Sequence, residues 1–100
     1  MPTVTVTAPP EAATNLARSL VEERLAACVN AVECTSTYRW DEEVHEDEEV
    51  LLLAKTTAER YPDLVDRIQA LHPYDVPAIG RFDEDDEPPA VRDWRDGAVK

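Results

Sequence analysis

Three changes of period along this chain predict an α+β fold, a ferredoxin-like βαββαβ sandwich with a long hairpin between its second and third strands and a short C-terminal helix. Thr and Val alternate from Thr3 to Ala8. Two apolar stripes recur at helical spacing, through Leu16, Ala17, Leu20, Val21 and Leu25 and again through Tyr61, Leu64, Val65, Ile68 and Leu71. Ala27 to Trp40 runs without Gly or Pro and faces a second extended run across Asp41-Glu42-Glu43.

Each element has its own punctuation. Pro9-Pro10 ends the first strand, because proline removes a ladder donor, and the first helix then spans Glu11 to Leu25. In the long strand from Ala27, alternation sets Cys28, Asn30, Val32, Cys34, Ser36, Tyr38 and Trp40 on one face. Its partner runs from Glu46 to Thr57 around Leu51-Leu52-Leu53. The turn between them lacks Gly, which supplies positive φ most cheaply, so a longer and looser loop is expected. Thr56-Thr57-Ala58-Glu59 has capping-box spacing, with regular helix beginning near Tyr61-Pro62. His72-Pro73 closes that helix, since the residue before proline is driven out of the α region. A short strand follows from Ala78 to Phe82, then an acidic loop, and Pro88-Pro89 opens a terminal helix expected to pack through Trp94.

Composition narrows the function. One hundred residues suit one domain, 1–100. The net charge is -12, from 22 acidic residues against 10 basic ones, on a chain with an ordinary apolar fraction, so the charge reads as a solvated surface. Such a surface suits a salt-rich cytoplasm, where carboxylates are screened, and predicts a halophilic source. Nucleic acid is excluded as a partner by the want of a basic stripe. No membrane partner is expected either, because no apolar run is long enough for a signal peptide or a span; the expected location is the cytoplasm. Cys28 and Cys34 sit six residues apart in one strand, roughly 20 Å at strand rise, too far for a disulfide.

Leu25-Ala26-Ala27-Cys28-Val29-Asn30, Ser36-Thr37-Tyr38-Arg39-Trp40, His72-Pro73-Tyr74-Asp75-Val76-Pro77, and the pair Asp47-Glu48-Glu49-Val50-Leu51-Leu52-Leu53 and Lys55-Thr56-Thr57 stand at characteristic separations along the chain. In their order and spacing they resemble the CutA family of divalent-cation tolerance proteins. The resemblance implies a PII-like homotrimer whose hairpins reach over neighbouring subunits. It agrees with the strand pattern, which leaves Cys28, Val32, Tyr38 and Trp40 on a sheet face that an oligomer should cover. It also places Cys28, Tyr38, Trp40, Lys55, Tyr74 and Asp75 around an inter-subunit cleft, and His72 where some members bind copper.

The chemistry of these residues leaves alternatives. Copper(II) and other divalent cations of the transition series favour imidazole and thiolate, so His45, His72, Cys28 and Cys34 are the candidate ligands, none at close ligand spacing. Copper-binding members that supply a Cys in the first strand and a second neighbouring His have Val6 and Leu71 as their counterparts here, so His72 stands as a single imidazole, read otherwise as a helix-end cap stacked under Tyr74. Cys28 reads as a small buried core residue or, with Lys55 and Asp75, as a nucleophile. Lys55 pairs with Asp75 or offers charge to an anionic ligand. Tyr38, Trp40 and Tyr74 pack at an interface or line a pocket. No catalytic triad and no Gly-rich phosphate loop is present, so the expectation is a binding protein that needs no cofactor. It works either in divalent-metal (copper) tolerance or as a PII-like sensor of a small metabolite acting through a protein partner.

Overall fold

In the computed structural model, which describes residues 2–100, the elements are β1 (Pro2–Ala8), α1 (Pro10–Glu22), β2 (Cys28–Trp40), β3 (Glu43–Lys55), α2 (Tyr61–Leu71), β4 (Gly80–Asp83) and α3 (Pro89–Ala98). The four strands form one antiparallel sheet in the order β2-β3-β1-β4. β1 and β2 are thus parallel with β3 between them, which is the split βαβ of the ferredoxin-like plait.

Alternation decides the two faces. Val4, Val6 and Ala8 of β1 and Leu52 and Ala54 of β3 point toward the helices and are buried against Leu16 and Leu20 of α1 and Leu64 and Ile68 of α2. Burying one such aliphatic side chain contributes about 1.5–3 kcal/mol. A bidentate pair from Arg67 to Glu23, at 2.8 and 3.0 Å, ties the two helices together at the surface. On the opposite face the rungs read Phe82–Thr3–Lys55–Cys28, Gly80–Thr5–Leu53–Asn30 and Thr7–Leu51–Val32. Among the described residues no helix covers that face.

α1 ends three residues before its expected limit. Arg24, at φ 61°, adopts the left-handed conformation while the Leu25 amide donates to the Leu20 carbonyl and Arg24 N–H to Val21 O, the paired bonds of a Schellman motif. The capping box does not form either. The Thr56 hydroxyl is fully buried and donates to the Leu25 carbonyl at 2.7 Å, whereas Thr57 Oγ1 accepts from the Arg60 amide at 3.3 Å ahead of a helix capped at Arg60.

The hairpin turn is the clearest departure. Instead of a loose loop, Trp40 pairs directly with Glu43, and Asp41 and Glu42 make a two-residue turn with φ of 52° and 65°. Two positive φ values give the chain the twist of a type I′ turn without its usual Asn-Gly. Strain of roughly 1–2 kcal/mol at each non-Gly residue is held by thirteen cross-strand pairs and by Arg39 Nη1 donating to Glu42 O at 3.3 Å. Asp41→Asn with Glu42→Gly is therefore expected to stabilise the hairpin by about 1 kcal/mol, read as slower amide exchange across the Tyr38–His45 rungs.

α3 corrects a second expectation. Trp94 is 49% exposed, while Arg95 is 2% exposed and grips Glu87 through two bonds of 2.9 and 2.7 Å. The terminal helix docks through its arginine, with Val99 buried beyond it and the Lys100 amide donating to Arg24 O at 3.0 Å.

Candidate functional site

The open face carries the predicted residues in two separate groups. Cys28 and Lys55 are direct cross-strand partners at the inner end of the sheet. Tyr38 and Trp40 lie ten and twelve residues further along β2, roughly 33 and 40 Å away at strand rise. Within one chain these groups do not meet.

Cys28 is half-buried on this open face, where alternation set it, rather than fully buried as its core reading expects, and its thiol lies 3.6 Å from Asn30 Oδ1. Both thiols are free. The expected ion pair between Lys55 and Asp75 is absent among the described residues. Lys55 sits opposite Thr3 and Cys28, while Asp75 follows a tyrosine anchored on Glu49, six residues or roughly 20 Å up β3. In a chain with so many carboxylates, Lys55 faces the open side without one among the described residues.

Around the root of the hairpin a second set converges, and Glu49 is the member that sequence reading passed over. Glu49 is only 6% exposed and accepts a 2.8 Å bond from the Tyr74 hydroxyl. Two residues along, on the same face, Asp47 accepts from the Tyr38 hydroxyl, and Tyr38 stacks on His45 with centroids 5.5 Å apart. The available signal was phase: Glu49 alternates in register with Leu51 and Leu53, opposite Cys34.

His72 stands at the C-cap of α2, the position its helix-end reading gives it. The residue is 7% exposed, and its ring lies 4.8 Å from that of Tyr74. Nε2 is 2.8 Å from the Thr7 carbonyl, and Nδ1 accepts from the Tyr74 amide at 3.1 Å. Among the described residues no three His, Cys, Asp or Glu side chains stand together to hold a metal ion. A groove of about 630 Å³ runs between α1 and β2 on the helix face, floored by Val29, Ala31 and Val50, but none of the predicted cleft residues lines it.

Burial, then the bond to Glu49, pushes the Tyr74 hydroxyl far above its ordinary 10.0, and the bond to Asp47 raises Tyr38 as well. A raised phenol pKa favours the folded state fully below pH 10.0 and loses that stabilisation as pH climbs through the folded value. In an ultraviolet titration these phenols should ionise late, and Tyr74→Phe should remove one late step and blunt alkaline unfolding.

A four-stranded antiparallel sheet with its core helices on one side and a hairpin projecting past the third strand defines an α+β protein of the ferredoxin-like class. Known proteins give it a narrower place. A family model described as CutA1 divalent ion tolerance protein matches residues 2–97. The divalent-cation tolerance protein CutA of Thermus thermophilus is 58% identical over 78 residues, 76% of each chain. The crystal structure of CutA1 from Pyrococcus horikoshii superposes with a TM-score of 0.96 at 39% identity, covering 100% of this chain and 99% of that one. The PII-like protein CutA from Nostoc sp. PCC 7120, in apo form, superposes at 0.97 with 33% identity over 100% and 98%. This chain belongs to the CutA1 divalent ion tolerance family.

Proposed function

We propose that the chain works in the cytoplasm as a homotrimer in divalent-cation tolerance, copper included, by binding rather than by catalysis. The observation that carries this reading is the bare sheet face, on which Val32, Leu51, Leu53 and Phe82 adjoin a hairpin too long to be supported by its own sheet. Metal contact in this reading is loose, through the acidic surface and the carboxylates around the cleft. Calorimetric titration of copper(II) should give heat in dilute buffer that fades in concentrated potassium chloride, as screening of exposed carboxylates demands. Saturable binding that survives the salt would instead require a specific metal centre.

A second reading, a PII-like sensor of a small metabolite, is favoured by Lys55. Lys55 lies on the open side beside Cys28, with Thr3 and Cys28 rather than carboxylates opposite it in the ladder, so an anionic ligand would complete the cleft. A panel of phosphorylated and carboxylated metabolites should raise the unfolding temperature saturably for at least one member. Lys55→Ala should abolish that gain; a panel without effect removes this reading.

A further inference from the structure

We propose that His72 is an internal latch: its ring seats the segment 72–77 on the end of the sheet, using both nitrogens to do so. After α2 the chain passes through His72-Pro73-Tyr74-Asp75-Val76-Pro77 with little help from its own backbone. The His72 amide closes α2 on Ile68 O, and Ile79 N–H reaches Pro77 O at 3.0 Å. Two prolines contribute no donors, and Val76 points outward. Side chains must therefore hold the segment.

His72 does this at both ends of its ring. A peptide N–H only donates, so the 3.1 Å contact with the Tyr74 amide makes Nδ1 the acceptor. A peptide carbonyl only accepts, so Nε2 carries the proton it donates to Thr7 O at 2.8 Å. Thr7 lies where β1 has outrun β4, which pairs with β1 only from Pro2 to Thr5. The imidazole thus serves a backbone carbonyl at the sheet end and fixes the tautomer that receives Tyr74. Tyr74 then reaches across to Glu49 at 2.8 Å, one rung beyond the point where β1 ceases to support β3 at Ala8–Val50. Thr7, His72, Tyr74 and Glu49 form one chain of hydrogen bonds from the central strand to the root of the hairpin. All four belong to one subunit. The lone pair that a metal ion would need is committed to the Tyr74 amide.

Amide exchange by NMR, zinc(II) titration and tyrosine titration together test the latch. In the native protein the Tyr74 amide should be protected although it lies in an irregular segment. His72→Phe, which keeps an aromatic ring and removes both nitrogens, should speed its exchange about tenfold, the scale of one lost hydrogen bond, and bring the Tyr74 phenol back toward its ordinary range. Tyr74→Phe should leave the amide at position 74 protected, since the ring of His72 still receives it. Zinc(II) should leave the native protection unchanged. An unprotected Tyr74 amide in the native protein, or protection and phenol titration both unmoved by His72→Phe, would overturn the latch. Release of that amide by zinc(II) would overturn it too, because His72 would then be a ligand.

Discussion

Replacing Arg95 with alanine is expected to free the C-terminal helix from the body of the protein. The Arg95 side chain is 3% exposed and that of Glu87 11%, and the two share a bidentate contact across Pro88-Pro89. Removing that cation leaves the part-buried Glu87 carboxylate with only a 4.0 Å contact to the exposed Arg92, a change whose upper bound is about 3–5 kcal/mol, the cost when the partner stays fully buried. α3 need not unfold the sheet to escape that cost. It can lift away, so the loss is capped by the stability of the tail itself. The expected result is rapid amide exchange and protease cleavage between residues 88 and 99, with the strands still protected. The double variant Arg95→Met with Glu87→Leu should recover most of the docking, because two apolar groups of similar reach remove the stranded charge. If Arg95→Ala leaves the tail protected, Val99 and the Lys100 amide bonded to Arg24 O are the true anchors.

That anchor was hidden in the sequence for a physical reason. Trp94 offers more apolar area than any neighbour, and area is what sequence reading weighs. The helix instead buries the stripe of Arg95 and Val99, and a guanidinium becomes a core group only because Glu87, eight residues earlier, folds back onto it. Nothing local in the sequence announces that return. The plait itself was legible, since period-two runs and helical stripes survive any tertiary context that buries one face. Details that depend on backbone strain were not. Arg24, Asp41 and Glu42 take positive φ without glycine because the Schellman bonds and the long ladder hold them there. In the candidate site, the nearness of Cys28 and Lys55 was implied by the family resemblance and their direct pairing appears only in the ladder register, whereas the cap role of His72 followed from Pro73. Glu49 was lost in the acidic run Asp47-Glu48-Glu49, where composition suggested a solvated edge and only phase distinguished the buried carboxylate. Within one chain Lys55 and Asp75 stand apart, because β3 carries Lys55 to the far end of the sheet from the segment that holds Asp75.

Val32→Asp is expected to break the assembly and leave single chains. Val32 is 50% exposed in one chain and stands opposite Leu51 on the bare face. Above it, seven rungs from Cys34–Glu49 to Trp40–Glu43 continue with no third strand beside them among the described residues, a ribbon of roughly 24 Å. Two strands alone are marginal in water, so the proposed assembly would support this ribbon with a neighbour and use the face below it for the rest of the contact. If that face is closed between subunits, each substituted chain brings a carboxylate into an apolar contact at a cost of several kcal/mol. In the proposed trimer three copies make the penalty larger than an interface of this kind can absorb. Light scattering should then report the single-chain mass, and the unfolding temperature should fall and lose its dependence on protein concentration. Val32→Thr, which keeps the β-branched shape, should stay assembled. If the face is instead open to solvent, an exposed Val→Asp change shifts stability by only about 0.5 kcal/mol, and the mass will not move. In the proposed trimer the same variant reaches the function, because Cys28–Lys55 and Tyr38–Trp40 stand too far apart to meet within one chain. Loss of assembly should therefore abolish any metabolite-dependent stabilisation while leaving the loose, salt-sensitive attraction of copper(II) to the acidic surface in place.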